Sequence, residues 1–534
     1  MTLLLERKEV NPNSTDLRYG RTPLAWAAIN GRGTVTKLLL AHNDIDPELP
    51  DKKGRIPVSW ATQYGHDEVI EILMKQTEVN PGTSDINGWP PISWAAENWG
   101  GKTCIVNLEE GGFSPDLPDR NGRTLLSCAA SGGNDGFVRY LLKREDVDPN
   151  RADKDSRTPL WWAIEGKSRG AVQLLLERAD VDPNFAGKDG RTPLLLALAK
   201  ESQEIVQLLL ERTDLNPNLP GKDGRTPLLW AIERKSQGKV QLLLEQANVD
   251  PNLADKIGRP PLLLALEKGE QELVRFLLQR TDVDPNPADR YGRTPLLLAL
   301  EKEERELVQL LLQRPDVDPN LAEKDGRTPL MLAVERGNQE AVQSLLQRAD
   351  VDPNLADRSG RTPLSFAAAC GNDKAAQLLL ERADVDPNLA DKDAQTPLSF
   401  AVRLAERETA QLLLKQADVD PNLADKDGRT PLLWAVQCRS PPRQLRLLLK
   451  RADVDPNLAD KDGRTPLLWA AELGNKHAVQ FLLKLDDVCS SIADNKGLTP
   501  LRQATQQGHY MIVWRLLVHQ RRTILETIRQ AGRR

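Results

Sequence analysis

Three short stretches of this chain have residue types and spacings that could do chemistry. Gly166-Lys167-Ser168-Arg169-Gly170 has the spacing of a nucleophile elbow, in which a serine on a strand-to-helix turn attacks an acyl group. Gly101-Lys102-Thr103 has the end of a phosphate-binding loop, whose backbone N–H groups would cradle an anion. Asp350, Asp352 and Asn354 alternate side-chain oxygens as a calcium loop does, and Asp-Val-Asp-Pro-Asn recurs along the chain. Each stretch lacks a part that its chemistry needs. The glycine that should open the phosphate loop is Ala96. The sixth and twelfth positions of the calcium loop, which need Gly and Glu, are Leu355 and Arg361. The five histidines (His42, His66, His477, His509 and His519) have no ligand spacing, and the five cysteines (Cys104, Cys128, Cys370, Cys438 and Cys489) are scattered, as reduced thiols of an intracellular protein would be. The sequence therefore predicts no catalytic residue, no metal site and no cofactor. The serine of the elbow is expected in a turn between helices.

The element behind all three stretches is a repeat. Gly-Arg-Thr-Pro-Leu recurs with its Thr position at Thr22, Ile56, Pro90, Thr124 and onward to Thr465 and Thr499. Thirteen of the fourteen intervals are 34 residues and one is 35, so about fifteen units fill the chain. Ala417–Ala435 even recurs letter for letter as Ala452–Ala470, a sign of tandem duplication. The unit 325–355 shows the physics. Gly326 permits a tight turn, Thr328 caps a helix that begins at Pro329, and Gly337 ends it with φ > 0. Leu330, Leu332, Ala333 and Val334 supply one apolar face; Ala341, Val342, Leu345 and Leu346 supply the face of a second helix. One such pair cannot bury both faces alone, so the fold class is an all-α solenoid of paired antiparallel helices joined by hairpin loops.

Gly-x-Thr-Pro-Leu, then x-x-Ala-Ala, then a Leu-Leu helix and an Asp-Val loop, resembles the ankyrin repeat over nearly the whole chain. The Asp-Val-Asp-Pro-Asn variant resembles arrays of filamentous-fungal proteins. The period departs from the family's by one loop residue. The family's His after Thr-Pro-Leu is replaced by Ser59, Ser93 and Ser365 or by Leu195, Leu229, Leu263 and Leu297. The inter-helix Gly is replaced by Lys167, Glu201, Lys235, Glu303, Ala405 and Arg439, at a cost of ~1 kcal/mol each if the turn is kept. The resemblance implies binding of a protein partner on a concave face built from hairpin tips and the adjoining ends of the first helices. It also implies two alternatives: a ligand-sensing C-terminal arm of a larger NACHT/NLR-like signalling protein, or a structural spacer.

On that face two groups stand out. Tyr19, Tyr64, Trp89 and Trp99 do not follow the repeat and are expected as exposed anchors for the partner. The Arg after each turn glycine, as in Arg123, Arg157 and Arg191, forms a charge ladder that steers an acidic or phosphorylated partner or neutralises the acids beside it. The column Trp26, Trp60, Trp94, Trp162, Trp230, Trp434 and Trp469 alternates with Leu and Phe in other units and is expected in the core.

Composition agrees. The 72 basic and 77 acidic side chains give a net charge of −5, which argues against nucleic acid as partner, and no apolar run is long enough to enter a membrane. The location expected is cytoplasmic, with the nucleus as alternative; oligomeric state is not legible. The organisation expected is a partial repeat at 1–21, divergent repeats at 22–145, near-uniform repeats at 146–498 with one inserted residue near 438–443, and a capping repeat with a basic helical tail at 499–534. Leu3–Asn13 matches the end of a second helix, which reads either as a frayed half-repeat that caps poorly or as a sign that the chain is the C-terminal part of a longer protein. At the other end, Arg502, Gln503, Thr505, Gln506 and Gln507 replace apolar residues and read as a polar cap. Near 438–443, Pro441 and Pro442 predict a longer loop and a bend.

Overall fold

A computed structural model describes residues 10–76, 83–86, 88–97, 115–116, 118–437 and 443–531 of the chain. Every regular element among them is a helix. The helices come in pairs, as in Pro159–Glu165 with Arg169–Leu176 and Pro329–Glu335 with Gln339–Gln347. The chain divides into two compact units, Met1–Leu264 and Ala265–Arg534.

The first helix of each pair starts as its sequence dictates. Thr328 is extended (φ −84°), its hydroxyl accepts from the Met331 N–H, and Pro329 opens the helix where no N–H is needed. The helix lasts only seven residues because the next few adopt a left-handed turn. In many repeats that turn carries glycine, as at Gly337 (φ 67°). In others a side chain is held there: Lys167, Glu201, Lys235, Glu303 and Ala405 have φ of 55°, 60°, 56°, 59° and 68°. The turn is kept without its glycine, and each site holds backbone strain. The sixth substituted site, Arg439, lies outside the described residues, as do Cys438, Pro441 and Pro442.

Packing is close where first helices meet. Ala163, Ala197 and Ala231 in the first unit and Ala299 and Ala333 in the second are wholly buried. A Cβ added at Gly166 would lie 2.1 Å from the Ser131 carbonyl oxygen of the preceding repeat. Second helices present Val172, Leu175, Val206 and Leu209, all buried, to complete the first unit's core.

The Asp-Val-Asp-Pro-Asn loops are stitched from repeat to repeat, not merely turned. Asn354 donates from Nδ2 to the Asp384 carbonyl (2.6 Å) and accepts at Oδ1 from the Asp386 N–H (2.9 Å). Asn150, Asn184, Asn320, Asn388 and Asn457 each reach forward in the same way, as Asn150 does to the Asp180 carbonyl at 2.5 Å. Arg348 reaches backward: it holds Asp350 with two hydrogen bonds and donates to the carbonyls of Leu312, Arg314 and Val317. The oxygens that suggested calcium are thus committed: Asp350 to Arg348, Asp352 to the Asn354 N–H (2.9 Å), and Asn354 to the next loop. This stitching continues across the inserted residue, since Asn422 donates to the Asp453 carbonyl at 2.6 Å.

Candidate functional site

In most repeats the hairpin that precedes Thr-Pro is built around one carboxylate. Asp153 is the model case. Its Oδ1 accepts from the N–H groups of Asp155 (2.8 Å) and Arg157 (2.9 Å), and its Oδ2 accepts from the Trp162 indole at 3.2 Å. The same indole–carboxylate clasp joins Trp26 to Asp16, Trp60 to Asp51, Trp434 to Asp425 and Trp469 to Asp460, at 2.7–3.2 Å. The Trp column is therefore not a plain core column. Trp60 is buried, but Trp26 is 39% exposed, and Trp162, Trp230, Trp434 and Trp469 are half-buried. The Leu and Phe that alternate with them show that the slot accepts apolar bulk; the polar edge of the indole is used by the hairpin.

Arginines of the ladder stack on these rings. The Arg21 guanidinium lies 4.4 Å from the Tyr19 ring centre, 4.9 Å from Trp26 and 4.2 Å from Trp60 of the next repeat. Arg55 lies between Trp60 (4.6 Å) and Trp94 (4.0 Å). Arg123 covers Trp89 (4.2 Å) and Trp162 (4.8 Å), and Arg157 covers Trp161 (4.7 Å) and Trp162. The hairpin face of the first repeats is thus an alternating column of cations and aromatic rings, each contact worth on the order of 0.5–2 kcal/mol.

The expected anchors separate on this column. Tyr19 is 39% exposed at its end. Tyr64 is 52% exposed and lies parallel to Trp60, with centres 6.1 Å apart. Trp89, expected as exposed, is only 8% exposed: its ring packs on Trp94 at 4.5 Å under the Arg123 guanidinium. Without an Arg at position 89, the neighbouring repeat's Arg covers the ring. Trp99 lies outside the described residues. Of the three arginines, Arg123 is buried and paired with Asp119 at 3.2 Å. Arg157 is half-buried and pairs with Asp155 at 3.3 Å. Arg191 is exposed, with Asp189 at 3.6 Å. Ladder arginines elsewhere are paired in the same way, as Arg259 with Asp255 and Arg293 with Asp289, both at 2.8 Å. Much of the ladder is a neutralised lattice. The exposed positions are at Tyr19, Trp26 and Tyr64, and Trp26 is the one that sequence reasoning assigned to the core.

A second apolar surface lies on the helix Tyr510–Ala531. Tyr510, Met511, Trp514, Leu517 and Val518 are 48–79% exposed and share one face by their spacing. The polar cap expected here is confined to the preceding helix, Pro500–Gln506, where Arg502 and Thr505 face outward.

The serine of the elbow motif begins the helix Arg169–Leu176, and its hydroxyl donates to the Ser131 carbonyl at 3.4 Å. Burial pushes the Cys128 thiol up to about 12, which keeps it protonated. Among the described residues no group of three or more His, Cys, Asp or Glu could hold a metal, and no helix is long and apolar enough to cross a membrane.

A family model described as ankyrin repeats (3 copies) matches at residues 1–87, 92–186, 170–255, 236–323, 305–391, 383–455 and 440–525. Among solved structures, the ankyrin repeat domain of Bcl-3, described as a unique member of the IkappaB protein family, is 27% identical over 42% of this chain and 98% of its own, with a TM-score of 0.38. The ankyrin repeat protein EF0377 is 26% identical over 35% of this chain and 96% of its own, with a TM-score of 0.33. A search of curated proteins finds no match.

Proposed function

The chain belongs to the ankyrin-repeat family, whose members are generally protein–protein interaction modules, and from that premise we propose that it is a non-catalytic scaffold that holds a protein partner on the hairpin face of its first repeats. One observation carries this reading. Tyr19, Trp26 and Tyr64 stay 39%, 39% and 52% exposed while Arg21 stacks on the first two, Asp16 holds the Trp26 indole, and Tyr64 lies on Trp60. Rigid, amphipathic aromatics on a preorganised support are what a binding hot spot needs, because little side-chain freedom remains to be lost. The tail-ward ladder positions, where Arg191 is exposed, favour a partner that carries acidic groups.

The test is site-specific crosslinking in cells of the source organism. A photoreactive phenylalanine at Tyr64 is expected to capture a partner, and the capture is expected to vanish in the Trp26→Ala background. The same probe at Gln207, exposed on a second helix, is expected to capture nothing. Equal capture at both positions, or none at Tyr64, would overturn the reading.

A further inference from the structure

Two consecutive hairpins of the first unit lack the clasp carboxylate. Gly187 and Gly221 stand where Asp153 and Asp255 stand in the flanking repeats. Each absence leaves indole chemistry behind. The Trp161 N–H is buried without a hydrogen-bond partner, in a residue only 6% exposed, 3.6 Å from where a Cβ at Gly187 would be. Trp230, the counterpart of Trp162 in the Gly221 repeat, has no carboxylate for its indole among the described residues. The Asp223 N–H, whose counterpart in Asp155 donates to Asp153, likewise finds no acceptor among them. Asp223 takes over only the Arg225 N–H, at 3.1 Å.

The hairpins also part here. At many joints a backbone rung ties one hairpin to the next, as Lys154 N–H to the Asn121 carbonyl (2.8 Å) and Lys188 N–H to the Asp155 carbonyl (2.9 Å). Among the described residues no such rung joins Lys222 to Asp189 or Lys256 to Asp223, so the Gly221 hairpin lacks one on both sides. A cavity of ≈ 580 Å³ lies at this hairpin, with Gly221 and Trp230 in its wall. Four cations line it: Arg191, Lys222, Arg225 and Arg234. Three acids line it too, but Glu233 and Asp223 are drawn to Arg225, at 2.7 and 3.4 Å, and Asp189 to Arg191 at 3.6 Å. Lys222 and Arg234 form no ion pair among the described residues, and Arg234 stands over the Trp230 ring at 5.5 Å.

The geometry points to a binding seat for an acidic side chain of a protein partner: a partner's aspartate or glutamate enters this cavity and takes the hydrogen bonds that the hairpin's own aspartate takes in the other repeats. The protein itself supplies the template for the occupant. At Asp153 a carboxylate bridges two hairpin N–H groups and an indole. At Gly221 the Asp223 N–H and the indole remain, and the surrounding cations are in excess. Charge-assisted hydrogen bonds in such a recess are stronger than neutral ones. The inference extends the scaffold reading by naming the partner's chemistry, at a site separate from Tyr19, Trp26 and Tyr64.

The experiment uses the full chain and a fluorescein-labelled hexaglutamate peptide, with binding read by anisotropy and the Trp230 indole N–H followed by NMR, its signal identified from Trp230→Phe. The peptide is expected to bind and to shift that signal. Gly221→Asp supplies the carboxylate internally. A Cβ there meets the ends of the Asp223 and Leu195 side chains, at 3.1 and 3.3 Å, and the Gly190 carbonyl oxygen at 3.8 Å, and Asp255 holds this position in the following repeat, so the variant is expected to fold with an undiminished melting temperature. It is expected to weaken the peptide at least tenfold, while Gly221→Ala leaves binding within about twofold. Binding that persists in Gly221→Asp, or an unmoved Trp230 signal, would overturn the proposal. Inorganic phosphate that displaces the peptide at equal concentration would overturn the commitment to a carboxylate. Because none of these readouts uses the Tyr64 crosslink, the seat can fail while the scaffold reading stands, and the reverse.

Discussion

Restoring glycine at two strained turns should stabilise the first unit, and the amount can be worked from the backbone. Lys167 and Glu201 hold φ of 55° and 60°. An L-residue in this region costs about 1–2 kcal/mol relative to glycine. Glycine returns part of that, about 0.4–1 kcal/mol, because its unfolded chain is freer. The two side chains are exposed, so little packing is lost. Lys167→Gly with Glu201→Gly is therefore expected to add about 1–2 kcal/mol, the two sites lying in different repeats and adding independently. In a cooperative block of about 200 residues that is a rise of roughly 2–8 °C in melting temperature. The reciprocal substitution gives the sign control. Gly337 has φ 67° and nothing within 4 Å of an added Cβ, so Gly337→Ala should lose about 1 kcal/mol by backbone strain alone. Calorimetry of the three proteins decides it. A double variant that melts at or below the parent, together with a neutral Gly337→Ala, would refute the claim that these turns hold strain.

Other perturbations follow from the same contacts. Asn354→Ala removes both forward hydrogen bonds to the next loop and should cost about 1–3 kcal/mol, with faster hydrogen exchange at the Asp386 N–H as the local sign. Arg123→Ala uncovers two indoles and leaves Asp119 buried without its partner, so about 3–5 kcal/mol is expected, whereas Arg191→Ala should change stability by less than about 0.5 kcal/mol; urea unfolding separates them. Hydrogen bonds from Arg178, Arg212, Arg314, Arg348 and Arg382 hold the carboxyls of Asp180, Asp214, Asp316, Asp350 and Asp384 below their ordinary range. A depressed folded-state pKa stabilises above the unfolded value and is lost as pH falls through the folded one, so melting temperature should hold at neutral pH and drop below about pH 4. Burial raises Glu97 and Asp116, which oppose this trend as they protonate. Calcium should leave the melting temperature unchanged, because the loop oxygens already have partners; a rise with millimolar calcium would contradict that assignment.

The helix pairs were legible because each signal is local. Thr328 caps the helix it precedes, Pro329 opens it, and apolar spacing names its face. The clasp was present in the letters as well, since Asp153 and Trp162, Asp425 and Trp434, and Asp460 and Trp469 are all nine apart. Swapping of Trp with Leu and Phe hid it, for that pattern reports the size of the slot and not the use of the indole edge. Trp89 misled in the opposite way. Departure from the repeat suggests exposure, but whether this ring is covered depends on Arg123, a residue of the following repeat. Tyr19 and Tyr64 are exposed, and each sits next to a turn glycine, Gly20 and Gly65. The cavity at Gly221 depends on two neighbouring hairpins at once, and no single repeat announces it.

The stitches between loops have an evolutionary consequence. Asn354 and Arg348 grip main-chain carbonyls and an N–H of adjacent repeats, groups that every residue type provides apart from the N–H that proline lacks. A joint that recognises peptide groups is indifferent to the identity of its neighbour. Copies of the unit can then be gained, lost or reordered by unequal recombination with no need to redesign the seams, and the verbatim recurrence of Ala417–Ala435 at Ala452–Ala470 is the mark such an event would leave. Array length becomes a heritable variable that drifts freely, while novelty accumulates in whichever copies, like those around Gly187 and Gly221, are released from holding themselves together.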